Sequence, residues 1–379
     1  MPIRLTLLID SLAAGGAQTQ IVRLAAGLDP TQWSVRLAWY NAASPFHAVP
    51  AGVTPVQLPR HHRLDPRFVL AMRRLVSRAE TDLVHAWLPA PALYATLAAQ
   101  WPGSAPVLTA VRCSPSLFAN DPTQGRLTLL TALLAEATTS NAQASLDWLA
   151  ARHVPQRKLH FIGNALDPRI AHRTPSSLAA RAQLLASLGL DPARPPLVAL
   201  GRFDAYKNQD GLVRALARVR AQRADGVPPL LLAGLLADPA RVAHVRDLAR
   251  AAGLEVHIAP AVADVATLLE AARFSVLASR SEGTPNVVLE ALGLGTLVVA
   301  TRVGEVPTLV EDGRTGILCL PDDDAALAVA LERALDLPTP DVARMGERAR
   351  ADMLARFSEP AVVQQYARLY WEIIEQSCG

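Results

Sequence analysis

Cysteine is scarce in this sequence of 379 residues, which has only Cys113, Cys319 and Cys378. Their spacing fits neither a metal site nor an even-numbered disulfide framework, so we expect reduced thiols in a cytoplasmic protein. Long apolar runs are also lacking, because the longest, residues 230–237, is far too short to cross a bilayer. The amino terminus has no plausible signal-peptide cleavage site and predicts a first β-strand instead. These absences argue against a secreted disulfide scaffold and against a membrane-spanning protein.

Aromatic residues and net charge are low as well. Aromatics make up 5% of the residues, and the formal net charge is +3 with the basic residues spread thinly. Nucleic acid is therefore not an expected partner. Hydrophobic residues, in contrast, amount to 51% and charged residues to 19%, which is enough to build large cores. A chain of this length can form two domains of ordinary size.

Strand-like apolar segments alternate with helix-like segments almost throughout, which predicts an α/β protein with doubly wound parallel sheets. An Ala-, Pro- and Ser-rich stretch at about 171–193 resembles an interdomain connection, so we place the domains at 1–175 and 176–358. An amphipathic helix is predicted to close the chain at 359–379. The predicted strands are Arg4–Ile9, Ser34–Trp39, Val53–Leu58, Leu83–Trp87, Val107–Arg112, Ala137–Ser140, Leu159–Ile162, Leu197–Gly201, Leu230–Ala233, Glu255–Ile258, Phe274–Ala278 and Leu297–Ala300.

The most informative segment ends at Glu290 and reads FSVLASRSEGTPNVVLE. Its apolar start predicts a buried strand, after which Thr284 is a preferred helix N-cap and Pro285 fits the first helical position. Gly283 lets a ligand approach the backbone, and a helix N-terminus offers unpaired N–H groups that suit a phosphate. Glu282 and Glu290 add two carboxylates, which suit the hydroxyls of a sugar and a ribose. A nucleotide sugar is therefore the predicted ligand.

Glu282 and Glu290, in the frame E-G-T-P-N-V-V-L-E, resemble the Glu-x7-Glu signature of family-4 retaining glycosyltransferases with the GT-B fold. Gly201, Arg202 and Lys207, in G-R-F-D-A-Y-K-N, resemble that family's G-R-x-x-x-x-K-N element. The alternative interpretation is structural, with a capped helix in one case and a surface Arg and Lys near a helix start in the other. A cation at a helix N-terminus is unfavourable unless an anion joins it, which favours the functional interpretation.

The first half of the chain carries weaker resemblances. Gly15 and Gly16 open a predicted helix and are similar to the family's Gly-Gly loop, with a plain tight turn as the alternative. His85 lies on a predicted strand where the family often has a His, with a satisfied core residue as the alternative. Arg112 is a departure, because many relatives have there a His that touches the donor sugar. Arginine stays protonated and cannot act as a general base, so it could instead clamp a phosphate or an acidic group of donor or acceptor.

The resemblance covers nearly the whole chain and implies a GT-B fold, with two Rossmann-like domains facing a central cleft and the last helix packed back on the first domain. It implies metal-independent transfer of a sugar from a nucleotide-sugar donor to a hydroxyl of a glycan or glycolipid acceptor, with retention and without a cofactor. Our working hypothesis is a front-face mechanism, in which the departing phosphate deprotonates the acceptor. The implied catalytic residues are Glu282, Arg202, Lys207, His85 and Arg112, and the implied donor-binding residues are Gly15, Gly16, Gly201, Gly283, Thr284, Pro285, Asn286, Val287 and Glu290.

Two other functions stay open at this point. Fold alone does not settle the reaction, so an epimerase or hydrolase of nucleotide sugars is one alternative and a catalytically silent scaffold subunit is the other. The base, the sugar and the acceptor are not specified by any motif. Richness in Ala, Arg and Pro is typical of high-GC bacteria, in which cell-envelope glycolipid, lipopolysaccharide or extracellular polysaccharide is a frequent destination.

Two charged segments need separate interpretation. Asp322, Asp323 and Asp324 could be taken for an Asp-x-Asp metal site, but they lie just before a predicted helix and are interpreted as a cap, so no metal is expected. A predicted amphipathic helix at 67–79 has a basic side, for which a solvated surface and reversible docking on the anionic inner face of the plasma membrane are the alternatives. The basic residues in question are Arg60, Arg63, Arg67, Arg74 and Arg78.

Overall fold

The computed structural model describes residues 1–13, 15–41, 47–60, 65–112, 115, 118, 121–236 and 238–378, and only the backbone of Cys378. Internal contacts divide the chain into two compact units. Unit 1 comprises Met1–Ala165 together with the C-terminal residues from Glu359, and unit 2 comprises Leu166–Ser358. A parallel β-sheet forms the centre of each unit.

The sheet of unit 1 is a set of short apolar strands. In the described part of the chain it has seven strands, all paired in parallel, in the order β3-β2-β1-β4-β5-β6-β7. Consecutive strand residues such as Leu7 and Leu8 point to opposite faces of the sheet and belong to separate hydrophobic clusters. Both faces are buried because helices cover them. The strands are β1 (Ile3–Leu8), β2 (Trp33–Trp39), β3 (Thr54–Gln57), β4 (Leu83–Trp87), β5 (Val107–Val111), β6 (Ala137–Ser140) and β7 (Leu159–Phe161).

The order of these strands reverses between β1 and β4, which lie side by side. Ligands of open α/β sheets bind outside the carboxyl ends of the strands at such a switch point. The carboxyl edge of unit 1 at β1, β4 and β5 is therefore where its functional side chains are expected. The helices that cover the sheet are α1 (Gly16–Gly27), α2 (Pro66–Leu75), α3 (Pro89–Ala98), α4 (Pro122–Leu134) and α5 (Gln143–Ala150), with a short 3-10 turn at Gln156–Lys158.

The C-terminal helix (Glu359–Cys378) belongs to unit 1. Its apolar side joins the core that contains β1 and β2, and Tyr366 and Tyr370 are fully buried there. The ring of Tyr370 packs edge-on against Trp33, with 5.5 Å between the centroids. Burial of two large aromatic rings on one helix explains why the last segment of the chain folds with the first.

Unit 2 has the same strand order as the first strands of unit 1. In the residues described, its sheet has six parallel strands in the order β10-β9-β8-β11-β12-β13, so its switch point lies between β8 and β11. The strands are β8 (Leu197–Leu200), β9 (Leu230–Ala233), β10 (Val256–Ala259), β11 (Phe274–Leu277), β12 (Val298–Thr301) and β13 (Ile317–Cys319). The helices are α6 (Pro168–Ala171), α7 (Leu178–Ser187), α8 (Gln209–Gln222), α9 (Pro239–Ala251), α10 (Val265–Ala271), α11 (Asn286–Leu294), α12 (Val306–Leu309), α13 (Asp324–Leu335) and α14 (Thr339–Phe357).

The predicted boundary between 175 and 176 needs correction, because the contacts place it between 165 and 166. Leu166 is fully buried in a core of unit 2, and its N–H donates to the carbonyl of Phe357 at 2.7 Å. Helix α6 packs against α11. The Ala- and Pro-rich stretch that resembled a connection contains α7, whose Leu185 is buried in the same core. The composition of this stretch indicated a linker, but its apolar residues pack into the core of unit 2.

The twelve predicted strands are all present, each within one residue of its predicted ends. The short strand β13 was not predicted, because three residues give too little periodicity to recognise. Among the residues that the structure describes, none of the helices is both long enough and apolar enough to pass through a lipid bilayer.

Candidate active site

The loops that follow β8 and β11 meet at the switch point of unit 2. The N–H of Arg280 donates to the carbonyl of Tyr206 at 2.7 Å, and the side-chain amide of Asn208 donates to the carbonyl of Ala278 at 3.2 Å. Asn208 has a left-handed backbone (φ 53°), which turns the chain into α8. The two loops that carry the sequence motifs are thus joined directly.

Lys207 and Glu282 form an ion pair across this junction. Lys207 Nζ lies 2.6 Å from Glu282 Oε1, and the two side chains are 22% and 13% exposed. The hydroxyl of Ser279, which is fully buried at the end of β11, donates to the same oxygen at 2.7 Å. Within the described residues, Glu282 Oε2 accepts no hydrogen bond. A fixed cation and a carboxylate oxygen therefore stand side by side at the ligand-binding edge of the sheet.

Two glycines that the sequence analysis did not single out bring these loops together. A Cβ on Gly234, after β9, would lie 1.9 Å from the carbonyl oxygen of Gly201. A Cβ on Gly304, after β12, would lie 2.3 Å from the carbonyl oxygen of Glu282, and Gly304 has φ +50°. Both positions need a residue without a side chain because backbone approaches backbone. The N–H of Glu305 then donates to the carbonyl of Gly283 at 3.0 Å.

Helix α11 begins one residue later than predicted. It starts at Asn286, with Pro285 in the N-cap position and no side-chain capping bond, so the expected cap at Thr284 is wrong. Thr284 and Pro285 are buried, and Val287 packs against the hydrophobic core. Glu290 is half-buried on the second turn. The helix N-terminus still follows β11 through the loop that carries Glu282, which is the order of elements that a phosphate site requires.

Arg202 does not join this cluster. Its side chain is 66% exposed and pairs with Asp204 at 3.2 Å, and among the described residues no contact links it to Lys207 or Glu282. Arg280, which the sequence analysis passed over, instead braces the loop by donating to the carbonyl of Ala205 and to Asp322. The Asp204 carboxylate also accepts the N–H of Lys207 at 3.0 Å and so shapes the turn.

The aspartates before α13 act as the expected cap. Asp323 Oδ1 accepts the N–H groups of Ala325 and Ala326, both at 2.9 Å. Asp322 and Asp324 pair with arginines. The described residues contain no group of three or more His, Cys, Asp or Glu side chains that could hold a metal ion. The hydrogen bonds of Asp323 confirm the capping interpretation of this acidic run.

In unit 1, Gly15 and Gly16 lie at the start of α1. Gly15 has an extended backbone, and its carbonyl accepts the N–H and the hydroxyl of Thr19 at 3.0 and 2.9 Å. Asp10, just after β1, accepts the N–H of Ser11 at 2.7 Å and the amide of Gln18 at 3.3 Å. The Gly-Gly pair therefore opens a helix at the carboxyl end of β1, beside the switch point.

His85 is fully buried in β4 and is not placed to touch a substrate. Its Nδ1 lies 2.7 Å from the hydroxyl of Tyr370, and the indole N–H of Trp87 donates to the same nitrogen at 3.1 Å. An indole N–H only donates, so Nδ1 is unprotonated and the proton is on Nε2. Burial lowers the pKa of His85 well below its usual value. The expectation of a catalytic His85 is corrected to a role in packing and in fixing Trp87.

Arg112 lies directly after β5 and is half-buried. Its guanidinium stacks on Trp87, with Cζ 3.8 Å from the ring centroid. It donates to the hydroxyl of Tyr366 at 2.7 Å and to Asn164 Oδ1 at 3.2 Å. Burial lowers the pKa of Arg112, with Tyr366 and Tyr370 acting in the opposite direction. The core histidine, the C-terminal helix and Arg112 thus form one connected network.

The basic face proposed around α2 is smaller than predicted. Arg60 lies over the rings of Tyr40, Phe68 and Tyr94 at 4.8, 5.4 and 5.3 Å, so its charge is held inside an aromatic cluster. Arg78 donates to two backbone carbonyls but is exposed. Arg60 is therefore not available for a surface, whereas Arg78 stays on it.

The remaining members of that face have different positions. Arg67 and Arg74 are exposed on α2, where Val69 and Leu70 are also 60% and 65% exposed. Arg63 lies outside the described residues, as do Cys113 and Ala14. On α2 itself, the structure therefore retains an exposed apolar pair with two flanking arginines.

Comparison with known families gives two matches that follow one another along the chain. Residues 14–169 match the model described as Glycosyltransferase Family 4, and residues 194–336 match the model described as Glycosyl transferases group 1. The first match covers most of unit 1 and includes Gly15, His85 and Arg112. The second covers the part of unit 2 that contains Lys207 and Glu282.

Curated relatives are similar over shorter or longer stretches. The N-acetyl-alpha-D-glucosaminyl L-malate synthase of Bacillus anthracis is 24% identical over 314 residues, covering 80% of this chain and 78% of the relative. The D-inositol 3-phosphate glycosyltransferase 2 of Catenulispora acidiphila is 34% identical over 200 residues, covering 50% of this chain and 46% of the relative. The chain thus matches less than half the length of the second relative.

Among solved structures, Alr3699/HepE of Anabaena, in complex with UDP-glucose, superposes with a TM-score of 0.81. The match covers 98% of this chain and 100% of that protein, at 22% sequence identity. At this identity the likeness establishes the fold. The chain belongs to the group 1, family 4 glycosyltransferases and has their GT-B fold.

Proposed function

We propose that this protein transfers a sugar from a nucleotide-sugar donor to a hydroxyl of its acceptor, and that unit 2 binds the donor. The observation that carries the proposal is the Lys207–Glu282 pair at the switch point, next to the N-terminus of α11. Breaking a nucleotide-sugar bond places negative charge on the diphosphate, and a preorganised cation stabilises that charge. Neither a nicotinamide site nor a metal site is needed to explain these residues.

Each residue has a distinct role in this proposal. The backbone N–H groups that begin α11 bind the diphosphate, and Lys207 neutralises the charge that develops on it. Glu282 holds a hydroxyl of the donor sugar through Oε2, while Oε1 stays with Lys207 and Ser279. Glu290 holds the ribose. Arg202 is mobile enough, with its side chain 66% exposed, to turn towards a bound diphosphate.

We infer retention at the anomeric carbon and a front-face mechanism. Retention often involves a covalent intermediate on a carboxylate, but the sequence motifs contain no evident pair of carboxylates of the glycosidase type. The departing phosphate then serves as the base for the acceptor hydroxyl, because neither Lys207 nor Arg112 is a suitable base. The similar Anabaena protein was solved with UDP-glucose, which makes UDP-glucose the donor to test first. A product in cell-envelope or extracellular polysaccharide synthesis is the destination that we propose.

Nucleotide binding gives the direct test. We expect UDP at 100 times its dissociation constant to add about 2.7 kcal/mol to the stability of native protein, which raises the melting temperature by several degrees. The Glu290→Ala variant should lose this shift, and so should Lys207→Ala. Glu347→Ala changes an exposed carboxylate of the same unit and should keep it.

The pattern of shifts decides between outcomes. Stabilisation by GDP or ADP in place of UDP corrects the base and leaves the site assignment standing. If no nucleotide stabilises the folded native protein, the donor site is wrongly assigned and a silent scaffold becomes the better interpretation. Release of free sugar from the donor without any acceptor requirement would indicate a hydrolase.

We further propose that the face of α2 formed by Arg67, Val69, Leu70 and Arg74 docks reversibly on an anionic membrane surface. Each arginine near such a surface contributes about 1 kcal/mol, so replacing both with Glu should weaken binding to phosphatidylglycerol vesicles at least thirtyfold, by order of magnitude. Vesicle sedimentation measures this. The matched control replaces Arg246 and Arg250, which are exposed on α9 of unit 2, with Glu. Equal binding by both double variants would show that α2 has only a solvated face.

A further inference from the structure

Among the described residues, the side chains that contact the charge of Arg112 are neutral. Its hydrogen-bond acceptors are the Tyr366 hydroxyl and the Asn164 amide oxygen, and its face lies on the Trp87 ring. Its Nε is buried and has no hydrogen-bond partner. In the part of the chain that the structure describes, no Asp or Glu forms an ion pair with it. The guanidinium is thus held firmly but is not neutralised.

Several other half-buried arginines of this protein have charged or multiple backbone acceptors. Arg173, Arg223 and Arg241, with side chains 21%, 21% and 22% exposed, each pair with a carboxylate at 3.0 Å or less. Arg350, which has no such pair, donates to three backbone carbonyls. Removing a charge from water without a counter-charge is unfavourable, and proteins usually pair it. Arg60 also has no carboxylate partner among the described residues, but it lies over three aromatic rings. Arg112 stacks on one ring and has a buried N–H without an acceptor, so its charge can accept a partner from outside the chain.

The surroundings hold the guanidinium ready for that partner. Trp87, on which it stacks, is fixed by its N–H bond to His85 Nδ1, and Tyr370 fixes the same nitrogen from the C-terminal helix. Stacking on an aromatic ring and two hydrogen bonds leave the planar guanidinium little freedom. A preorganised arginine loses less entropy when an oxyanion binds.

The position of Arg112 suggests which substrate supplies the anion. It follows β5 directly, at the carboxyl edge of the unit 1 sheet. Unit 2 has its own cation, Lys207, and its own helix N-terminus for the donor diphosphate. We propose that Arg112 binds an acidic group, a carboxylate or a phosphate, on the acceptor. This proposal rests on the proposed glycosyl transfer and specifies the acceptor class as anionic.

The Trp87 ring provides a local probe, because it lies against the guanidinium. We would label the protein with 5-fluorotryptophan, assign Trp87 with Trp87→Phe, and titrate inorganic phosphate and acetate into the millimolar range. A saturable shift of the Trp87 fluorine signal is expected with at least one of them. Arg112→Met should weaken the binding of the anion about tenfold to a hundredfold, because a hydrogen bond to a charged group is lost. Arg112→Lys should retain part of the affinity.

The chain offers a matched control. Arg152 stacks on Trp148 with Cζ 3.9 Å from the centroid, but this arginine is exposed and its charge is solvated. Trp148 should therefore not respond to phosphate, and Arg152→Met should leave the Trp87 response intact. Lys207→Ala should leave it intact as well, so failure of the donor site and failure of this proposal are distinguishable. Far-UV circular dichroism checks that each variant is folded.

Three outcomes would overturn the proposal. In the first, the Trp87 fluorine signal does not shift with either anion. In the second, it shifts equally in Arg112→Met. Either result would mean that Arg112 has only a structural role. Alternatively, UDP shifts the Trp87 signal in a manner that depends on Arg112, and then the anion belongs to the donor. A response to phosphate or acetate that depends on Arg112, together with no such response to UDP, supports an anionic acceptor.

Discussion

Replacing Lys207 with Ala is expected to lower the rate of sugar transfer about a hundredfold to a thousandfold, the usual effect of losing one preorganised group that stabilises transition-state charge. The chain has only two lysines, Lys158 and Lys207, and all its other basic side chains apart from histidine are arginines. Lys207 Nζ is held 2.6 Å from Glu282 by the junction of the two switch-point loops. The position of the ammonium group therefore depends on the folding of both loops.

The effect should be on kcat more than on the donor KM. Charge on the diphosphate increases as the glycosidic bond breaks, so the lysine stabilises the transition state more than the ground state. Loss of Lys207 also leaves the Glu282 carboxylate, 13% exposed, without its cation and with the hydrogen bond from the Ser279 hydroxyl. The double variant Lys207→Met/Glu282→Gln removes both charges and separates this stability effect from the catalytic one.

Transfer is measured with UDP-glucose by NMR of the product, which also reports the anomeric configuration. Lys158→Ala is the matched control, because Lys158 belongs to unit 1, where it donates to the carbonyls of Leu133 and Ala135. If Lys207→Ala retains more than a tenth of native kcat, the lysine does not stabilise the leaving group. A product with inverted configuration would contradict the front-face mechanism.

Much of this site could be predicted from the sequence, and the reason is local. Glu282, Gly283 and Glu290 lie in one strand–turn–helix segment, so their spacing already places them at a helix N-terminus. Lys207 is 75 residues away from Glu282, and its contact with that carboxylate was not predictable from its own surroundings. The resemblance to a family supplied that connection, and the parallel order β8 next to β11 provides its physical basis.

What could not be predicted depends on contacts between distant segments. The sequence around His85 does not indicate whether its side chain faces a substrate or the core. Its burial depends on the distant C-terminal helix, whose Tyr370 contacts it. Arg60 resembles a surface cation until three aromatic rings from separate elements surround it. Gly234 and Gly304 are ordinary loop glycines by sequence, because the backbones that they approach belong to other loops.

Gly304 gives the second prediction with a large expected effect. A Cβ there would lie 2.3 Å from the carbonyl oxygen of Glu282 and 2.5 Å from that of Gly283. Neither atom belongs to a flexible side chain, so the backbone itself must move. Its φ of +50° adds the strain of a left-handed conformation, about 1–2 kcal/mol for a residue other than glycine. We expect Gly304→Ala to be less stable by about 3–5 kcal/mol and to bind UDP at least tenfold more weakly.

Gly313→Ala separates the two causes of this loss. Gly313 has φ +75°, but a Cβ there would meet nothing within 4 Å, so its replacement adds backbone strain without a clash. It should be less stable by about 1–2 kcal/mol and bind UDP with native affinity. Melting temperatures and calorimetric titration with UDP measure both quantities. If Gly304→Ala behaves like Gly313→Ala in both, the loop after β12 yields to the added methyl group and does not hold Glu282 and Gly283 in place. A loss of UDP affinity confined to Gly304→Ala would show that the loop after β12 positions the donor-binding backbone at Glu282 and Gly283.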